Sequence, residues 1–225
     1  MASSVAAAVA DGFGIATGAY LAERDDWSAA LARARREGWR RVELTAIRRE
    51  RLDALVLALA QDPGLVDGFE HVSVHAPARD FVDDPEPVVA ALRTLPYDIV
   101  LHPDVYRGQG WVRELVTRAV FENMDAVKSF GKDTADLSET FAAFPEAGFC
   151  LDVAHVWTND PTLALGHELL DAHAGRLRQL HVSGIEPDGT HRPTTPADLE
   201  LYAPLLARCA GVPWLLEAEL AEAAP

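Results

Sequence analysis

Eight side chains of the kinds that hold a metal ion or move a proton stand where apolar segments of this chain give way to polar sequence. They are His75, His102, Glu122, Asp152, His155, His181, His191 and Glu217. The clearest case is Phe149-Cys150-Leu151-Asp152-Val153-Ala154-His155. It opens as a short apolar run without helical period, which reads as a buried strand. It ends in a carboxylate and, three residues on, an imidazole. Mixed imidazole and carboxylate ligands suit Zn²⁺, Mn²⁺, Fe²⁺ or Co²⁺ rather than Ca²⁺. Gathering such groups around one mouth without a cation would be costly, because buried charge must be paired or metal-bound. Plainer roles exist for single members. Asp152 can cap the next helix, and His102, followed by Pro103, can be a loop residue. Of the eight histidines, His71 opens a strand. His167 and His173 fall on a helix and read as solvated.

The elements that would position these groups alternate. Strands are expected at Gly12 to Ala19, Arg41 to Thr45, His71 to His75, Tyr97 to Leu101, Ala119 to Glu122, Gly148 to Asp152, Leu177 to Val182 and Val212 to Leu216. Helices are expected at Trp27 to Glu37, closed by Gly38, and at Arg48 to Ala60, Pro85 to Leu95, Thr134 to Phe144, Pro161 to Ala174 and Pro196 to Cys209. Gly108 to Thr117 has room for only a short helix. Strands joined by helical crossovers are parallel. Eight such units predict a compact (β/α)₈ barrel over 1–225, one domain, with residues 1–10 frayed and the last helix truncated or missing. An open doubly wound sheet is the alternative, and no Gly-rich phosphate loop follows a strand to support it. In a barrel all strand C-termini open on one face, so the eight groups should converge there. Glu43 on the second strand and Trp111 or Trp157 could line the pocket, although core packing is the plainer role for the tryptophans.

Composition bounds the function. Of the 225 residues 49% are hydrophobic and 24% charged, as in a globular protein with a real core. The net charge of −15 argues against a nucleic-acid partner, abasic DNA included. One basic stretch runs from Arg33 to Arg51, and solvated helix faces account for it. Cys150 and Cys209 make no disulfide framework. Met1 to Ala10 lacks the basic and apolar regions of a signal peptide, and no apolar run reaches membrane-spanning length, so a cytoplasmic protein is expected.

In order, His75-Ala76-Pro77, His102-Pro103, Glu122-Asn123-Met124, Leu151-Asp152-Val153-Ala154-His155, His181-Val182-Ser183, His191 and Leu216-Glu217 resemble the xylose isomerase-like TIM barrels. That superfamily also contains endonuclease IV, and the resemblance covers nearly the whole chain. It implies one divalent metal held by Glu122, Asp152, His181 and Glu217, with the two glutamates also serving as acid and base. From the endonuclease branch it implies further ions on His75, His102, His155 and His191, one to three per chain in all. The chain departs from that branch at Gly189, where an Asp is expected two residues before the last histidine. It departs again at Arg192-Pro193-Thr194-Thr195, which replaces a Gly-rich turn.

The leading expectation is a metal-dependent isomerase or epimerase of a small hydroxy-carbonyl substrate, a sugar or keto acid, working by proton abstraction through an enediolate. Glu122 and Glu217 would face opposite sides of the substrate, and His155 would orient one of its oxygens. The alternatives are a di- or trinuclear phosphoesterase of endonuclease IV type, a multi-iron oxidase that modifies a peptide, and a barrel that binds a metal or ligand without turnover.

Overall fold

A computed structural model describes residues 12–78 and 85–221. The start expected to fray lies outside them. The strands are β1 Phe13–Ala16, β2 Arg41–Thr45, β3 His71–His75, β4 Asp98–Leu101, β5 Ala119–Glu122, β6 Gly148–Asp152, β7 Leu177–Val182, β8 Gly184–Ile185, β9 His191–Arg192 and β10 Trp214–Leu216. Eight of them are parallel and close into a barrel in the order β1-β10-β7-β6-β5-β4-β3-β2. Closure rules out the open sheet: β1 pairs with β10 through Phe13↔Trp214 and with β2 through Ile15↔Val42. β8 and β9 form a small antiparallel pair in the connection after β7, which carries His191.

The period of two along each strand divides the residues between two environments. Phe121, Phe149, Leu151, Ile99 and Leu101 belong to the core between strands and helices. Their neighbours in sequence, among them Glu122, Cys150 and Asp152, take the other face, toward the barrel axis. The helices are α1 Trp27–Glu37, α2 Arg49–Gln61, α3 Glu86–Arg93, α4 Pro103–Tyr106, α5 Thr134–Ala143, α6 Val153–Asn159, α7 Ala164–His173 and α8 Pro196–Leu206. Side chains fix their starts, as where Asp26 accepts from the Ala29 amide at 2.9 Å. Gly38, at φ 87°, ends α1 in the left-handed region as expected.

Four expectations need correction. The first strand stops at Ala16, and Thr17–Ala19 is a 3₁₀ turn. There Thr17 Oγ1 accepts from the Thr45 amide and Gly18 donates to Thr45 Oγ1, which draws the backbone out of the ladder. Between β4 and β5 the expected helix is a 3₁₀ turn, Gly110–Glu114, and α4 starts earlier, at Pro103. Proline suits that first helical turn. The residues after Asp152 form α6, and α7 begins only after Leu163, whose φ of 62° breaks the run begun at Pro161. His173 is buried, with its ring 5.0 Å from Phe141 and 6.1 Å from Phe149, because it shares the inner face of α7 with Leu169 and Leu170. No helix follows β10 among the described residues. None of the described helices is long and apolar enough to cross a membrane.

Barrel closure leaves no space at Gly14. A Cβ there would stand 2.6 Å from the Arg41 carbonyl oxygen and 2.7 Å from Leu215 Cδ2. Gly14→Ala should therefore destabilise the protein by about 1–3 kcal/mol, read as a lower urea midpoint at unchanged slope. An unchanged midpoint would mean that the β1 seam is slack.

Candidate metal centre

All eight side chains singled out in the sequence lie at the C-terminal end of the barrel, and all join one of three groups of potential metal ligands. These are His75–His102–Glu122, Asp152–His155–His191 and Glu122–Asp152–His181–Glu217, each with ligand atoms within 4.8 Å of one another. Glu122 and Asp152 each belong to two groups.

His181 stands at the middle. Its Nε2–H donates to Glu43 Oε2 at 3.0 Å. Its Nδ1 lone pair then faces Glu122 Oε1 at 2.9 Å and Glu217 Oε1 at 3.1 Å. A ring nitrogen between two carboxylate oxygens calls for a proton or a cation. Glu122 and Glu217 thus each bring one oxygen, Oε1, to this nitrogen. They reach it from well-separated strands, since β5 and β10 stand three places apart in a ring of eight. Glu43, which was expected at most to line the pocket, is fully buried and also accepts from Gln179 Nε2 at 2.7 Å and Ser73 Oγ at 3.1 Å.

The flanking groups are built alike. His75 Nδ1–H donates to the Ala76 carbonyl at 2.9 Å, which turns Nε2 toward His102 Nε2 at 3.1 Å and Glu122 Oε2 at 3.5 Å. His155 Nδ1–H donates to the Asn123 carbonyl at 2.9 Å, and its Nε2 lies 3.4 Å from His191 Nε2. Asn123 also clamps β5 to β6: its Nδ2 donates to the Asp152 carbonyl at 2.9 Å and its Oδ1 accepts from the Asp152 amide at 2.8 Å. Asp152 divides its carboxylate. Oδ1 caps α6 by accepting from the His155 amide at 2.7 Å, so the plainer role is filled as well, and Oδ2 is left without a hydrogen-bond partner.

A divalent cation fits these donors. Among the described residues five buried carboxylate oxygens have no hydrogen-bond partner, and four of them, Glu43 Oε1, Glu122 Oε2, Asp152 Oδ2 and Glu217 Oε2, belong to this centre. Without a cation, protons do part of its work. Burial would raise the Glu122 pKa, but His181, His102 and His75 hold it well below the usual range. Burial would lower that of His181, but Cys150 and the carboxylates of Glu217, Glu43 and Glu122 hold it well above. Burial and the charges of Glu122 and Asp152 push Glu217 well up despite His181. Burial, with His155 beside it, pushes His191 down to about 4, the neutral form that binds metal.

Other features lie apart from the centre. A cavity of about 280 Å³ lined by Gly12, Arg41 and residues 210–214 opens at the N-terminal ends of the strands and carries no carboxylate, imidazole or thiol. Trp111 and Trp157 pack against the core. The basic stretch is largely spent within the fold. Arg33 pairs with Glu23, Glu37 and Glu219, Arg40 with Glu70, and Arg35 donates to the Leu65 carbonyl.

No protein-family profile matches the chain, and no curated protein sequence does. Solved structures match its fold. A D-allulose 3-epimerase from Methylomonas sp. is 16% identical with a TM-score of 0.60, over 92% of this chain and 84% of that one. A proposed dehydratase from Mesorhizobium loti is 12% identical with a TM-score of 0.50, over 77% of this chain and 48% of that one. At these identities the likeness is one of fold, and the fold is the TIM barrel that the sequence predicted.

The sequence alone does not reveal Asn123, Gln179 or Ser183, whose Oγ lies 2.9 Å from His191 Nδ1, as partners of these side chains, nor the contact of Glu43 with His181. A signal for two of them was present: Gln179 lies two residues before His181 on the same strand face, and Glu43 is a charge in mid-strand. The Glu43–His181 pair yields a test. Glu43→Gln keeps the volume but removes the charged partner that orients His181. Metal affinity should fall about 10–100-fold by chelator competition while the fold is kept; undiminished affinity would remove Glu43 from the centre. The raised Glu217 pKa sets the pH dependence. A proton held there must leave when metal binds, so affinity should rise with pH until that pKa is passed, with proton release in calorimetry. Uptake that is independent of pH would contradict this.

Proposed function

We propose that this protein is a divalent-metal-dependent isomerase or epimerase of a small hydroxy-carbonyl compound, a sugar or keto acid. One observation carries the reading: Glu122, Asp152, His181 and Glu217, from β5, β6, β7 and β10, offer ligand atoms within 4.8 Å of one another. A divalent cation held there would polarise the substrate's carbonyl and adjacent hydroxyl oxygens. The chain itself supplies the proton transfer. Glu217 is suited to it, because Oε1 faces His181 while Oε2 has no hydrogen-bond partner. Its side chain is 14% exposed, against 1% for Glu122. It can take the proton α to the carbonyl and return it on the same face. Return to the opposite face needs a second group, and Glu122, on a strand three places away in the ring, is the candidate for it. His155 Nε2 would orient a substrate oxygen. The neighbour in fold that spans most of this chain is named for D-allulose, a keto sugar of the class favoured here.

A specific observation favours a second reading, a di- or trinuclear phosphoesterase. The His75–His102–Glu122 and Asp152–His155–His191 groups share Glu122 and Asp152 with the central one. Bridged ions activate water for attack on phosphorus. The net charge of −15 opposes this reading for nucleic-acid substrates.

The test screens keto sugars and hydroxy-keto acids for α-proton exchange in deuterated water, on protein loaded with Mn²⁺, Co²⁺, Zn²⁺ or Fe²⁺. Glu217→Gln should retain its metal and lose about 10²–10⁴-fold in exchange. A substrate turned over without exchange, and still turned over by Glu217→Gln, would sink the proton-transfer reading. Metal-dependent cleavage of a phosphoester that disappears in Asp152→Ala would promote the second.

A further inference from the structure

Five imidazoles belong to the ligand groups at the mouth: His75, His102, His155, His181 and His191. Four of them have a bonding partner on the nitrogen that their own group leaves free. His75 Nδ1 lies 2.9 Å from the Ala76 carbonyl, and His155 Nδ1 lies 2.9 Å from the Asn123 carbonyl. His181 Nε2 is 3.0 Å from Glu43 Oε2, and His191 Nδ1 is 2.9 Å from Ser183 Oγ. His102 is the exception. Its Nε2 faces His75 Nε2 at 3.1 Å and Glu122 Oε2 at 3.3 Å, but its Nδ1 is buried without a hydrogen-bond partner.

Asp104 Oδ1 stands 3.9 Å from that Nδ1 and is likewise buried without a partner. The two orphaned atoms face each other. Asp104 lies in the first turn of α4, two residues after His102, and its Oδ2 is 3.4 Å from Lys128 Nζ. The position of the ring proton explains the gap. His75 gives its Nδ1–H to Ala76, so its Nε2 is a lone pair. That lone pair and Glu122 Oε2 draw the His102 proton to Nε2. His102 Nδ1 is then a lone pair opposite a carboxylate oxygen, and two acceptors form no bond. A cation taken up by Nε2 displaces the proton there. The neutral ring keeps one proton, which passes through solvent to Nδ1, and Nδ1–H has Asp104 Oδ1 as its acceptor.

We propose that Asp104 is a positioning residue of the centre: it accepts the Nδ1–H of His102 when Nε2 holds a divalent ion, while Lys128 holds its other oxygen. Asp104 is not itself a ligand. A carboxylate on the outer nitrogen of a metal-bound histidine fixes the ring and strengthens it as a ligand. This rests on the metal-dependent reading above and holds for either reaction. The competing role for Asp104 is a partly exposed ion pair with Lys128, which contributes little. Asp104→Asn separates the two. Lys128 is a donor only, so it keeps the amide oxygen, and the amide NH₂ turns to His102 and donates to Nδ1. That holds the ring proton on Nε2 and opposes the ion. Lys128→Met, added to Asp104→Asn, frees the amide to present its oxygen instead.

The full chain, isotope-labelled at histidine nitrogen, is followed by NMR with and without Zn²⁺, and Zn²⁺ affinity is measured by chelator competition. His102→Ala assigns the His102 signals and should weaken or abolish binding of one ion. In the wild type the His102 ring proton should move from Nε2 to Nδ1 on loading. Asp104→Asn should bind that ion about 10–100-fold more weakly. The double variant should recover part of the loss, and Lys128→Met alone should keep the wild-type ring signals. Unchanged affinity in Asp104→Asn, or a double variant no tighter than Asp104→Asn, would overturn the role of Asp104. Should Asp104→Asn fail to fold, the loaded wild type decides, and an Nδ1 without a proton overturns it. Unchanged binding in His102→Ala would do the same. A wild type that takes up no Zn²⁺ would instead sink the metal-dependent reading, and Asp104 with it.

Discussion

Everything at the mouth of this barrel depends on His181 standing between carboxylates. One ring nitrogen is bound to Glu43, and the other faces Glu122 and Glu217. His181 alone cannot balance Glu43, Glu122, Asp152 and Glu217, and His75, His102 and His155 also approach Glu122. An uncompensated ionised carboxylate in such a place costs several kcal/mol. Two compensations are open to the molecule, a proton or a divalent cation. The raised pKa of Glu217 is the first. The set of partnerless oxygens and facing imidazole nitrogens is made for the second. Loading with metal would therefore be linked to folding. A ligand at a hundred times its Kd that binds only the native state adds about 2.7 kcal/mol of stability.

The barrel acts as the jig that brings residues far apart in sequence to this point. Register does most of the work: Asp152 stands opposite His181, and Glu122 opposite Cys150. A slip of one residue would turn each of these side chains into the helical layer. Asn123 resists such a slip between β5 and β6, because its amide bonds both the N–H and the carbonyl of Asp152. Asp152 in turn ties metal chemistry to secondary structure, since the oxygen that caps α6 fixes the direction of the one that is free. His155, in the first turn of α6, is placed by the same bond.

The parts legible in the sequence were those governed by short-range pattern. β2, β3, β6 and β7 ended where their apolar runs ended, and the ligand-type residues at those ends marked the mouth. What stayed hidden was decided by contacts between distant segments. Nothing local tells that Thr17 will bond to Thr45 and end β1 early, or that α7 will turn His173 toward Phe141 and Phe149. The convergence of Glu122 and Glu217 is of the same kind. The order of strands was legible, but where two side chains aim across β6 and β7 is a matter of tilt and rotamer. Glu43 was visible as a charge in mid-strand, yet its partner His181 is 138 residues away.

The charge around the opening bears on what could enter. Three cations in the connections above the strands are already committed. Arg192 is held by Asp198 and Glu186, Lys128 by Asp104, and Arg107 by Glu139. Drawing one of them onto a substrate phosphate would expose its present carboxylate partner, so the net gain would be small. A phosphorylated substrate would then rely on the metal centre for its neutralisation. An uncharged polyol carbonyl makes no such demand. It needs ligand atoms for two oxygens and one accessible base, and the open edge at Glu217 and His191 lies where such a compound would meet both. None of these three cations is therefore free to favour a phosphate ester over a neutral compound.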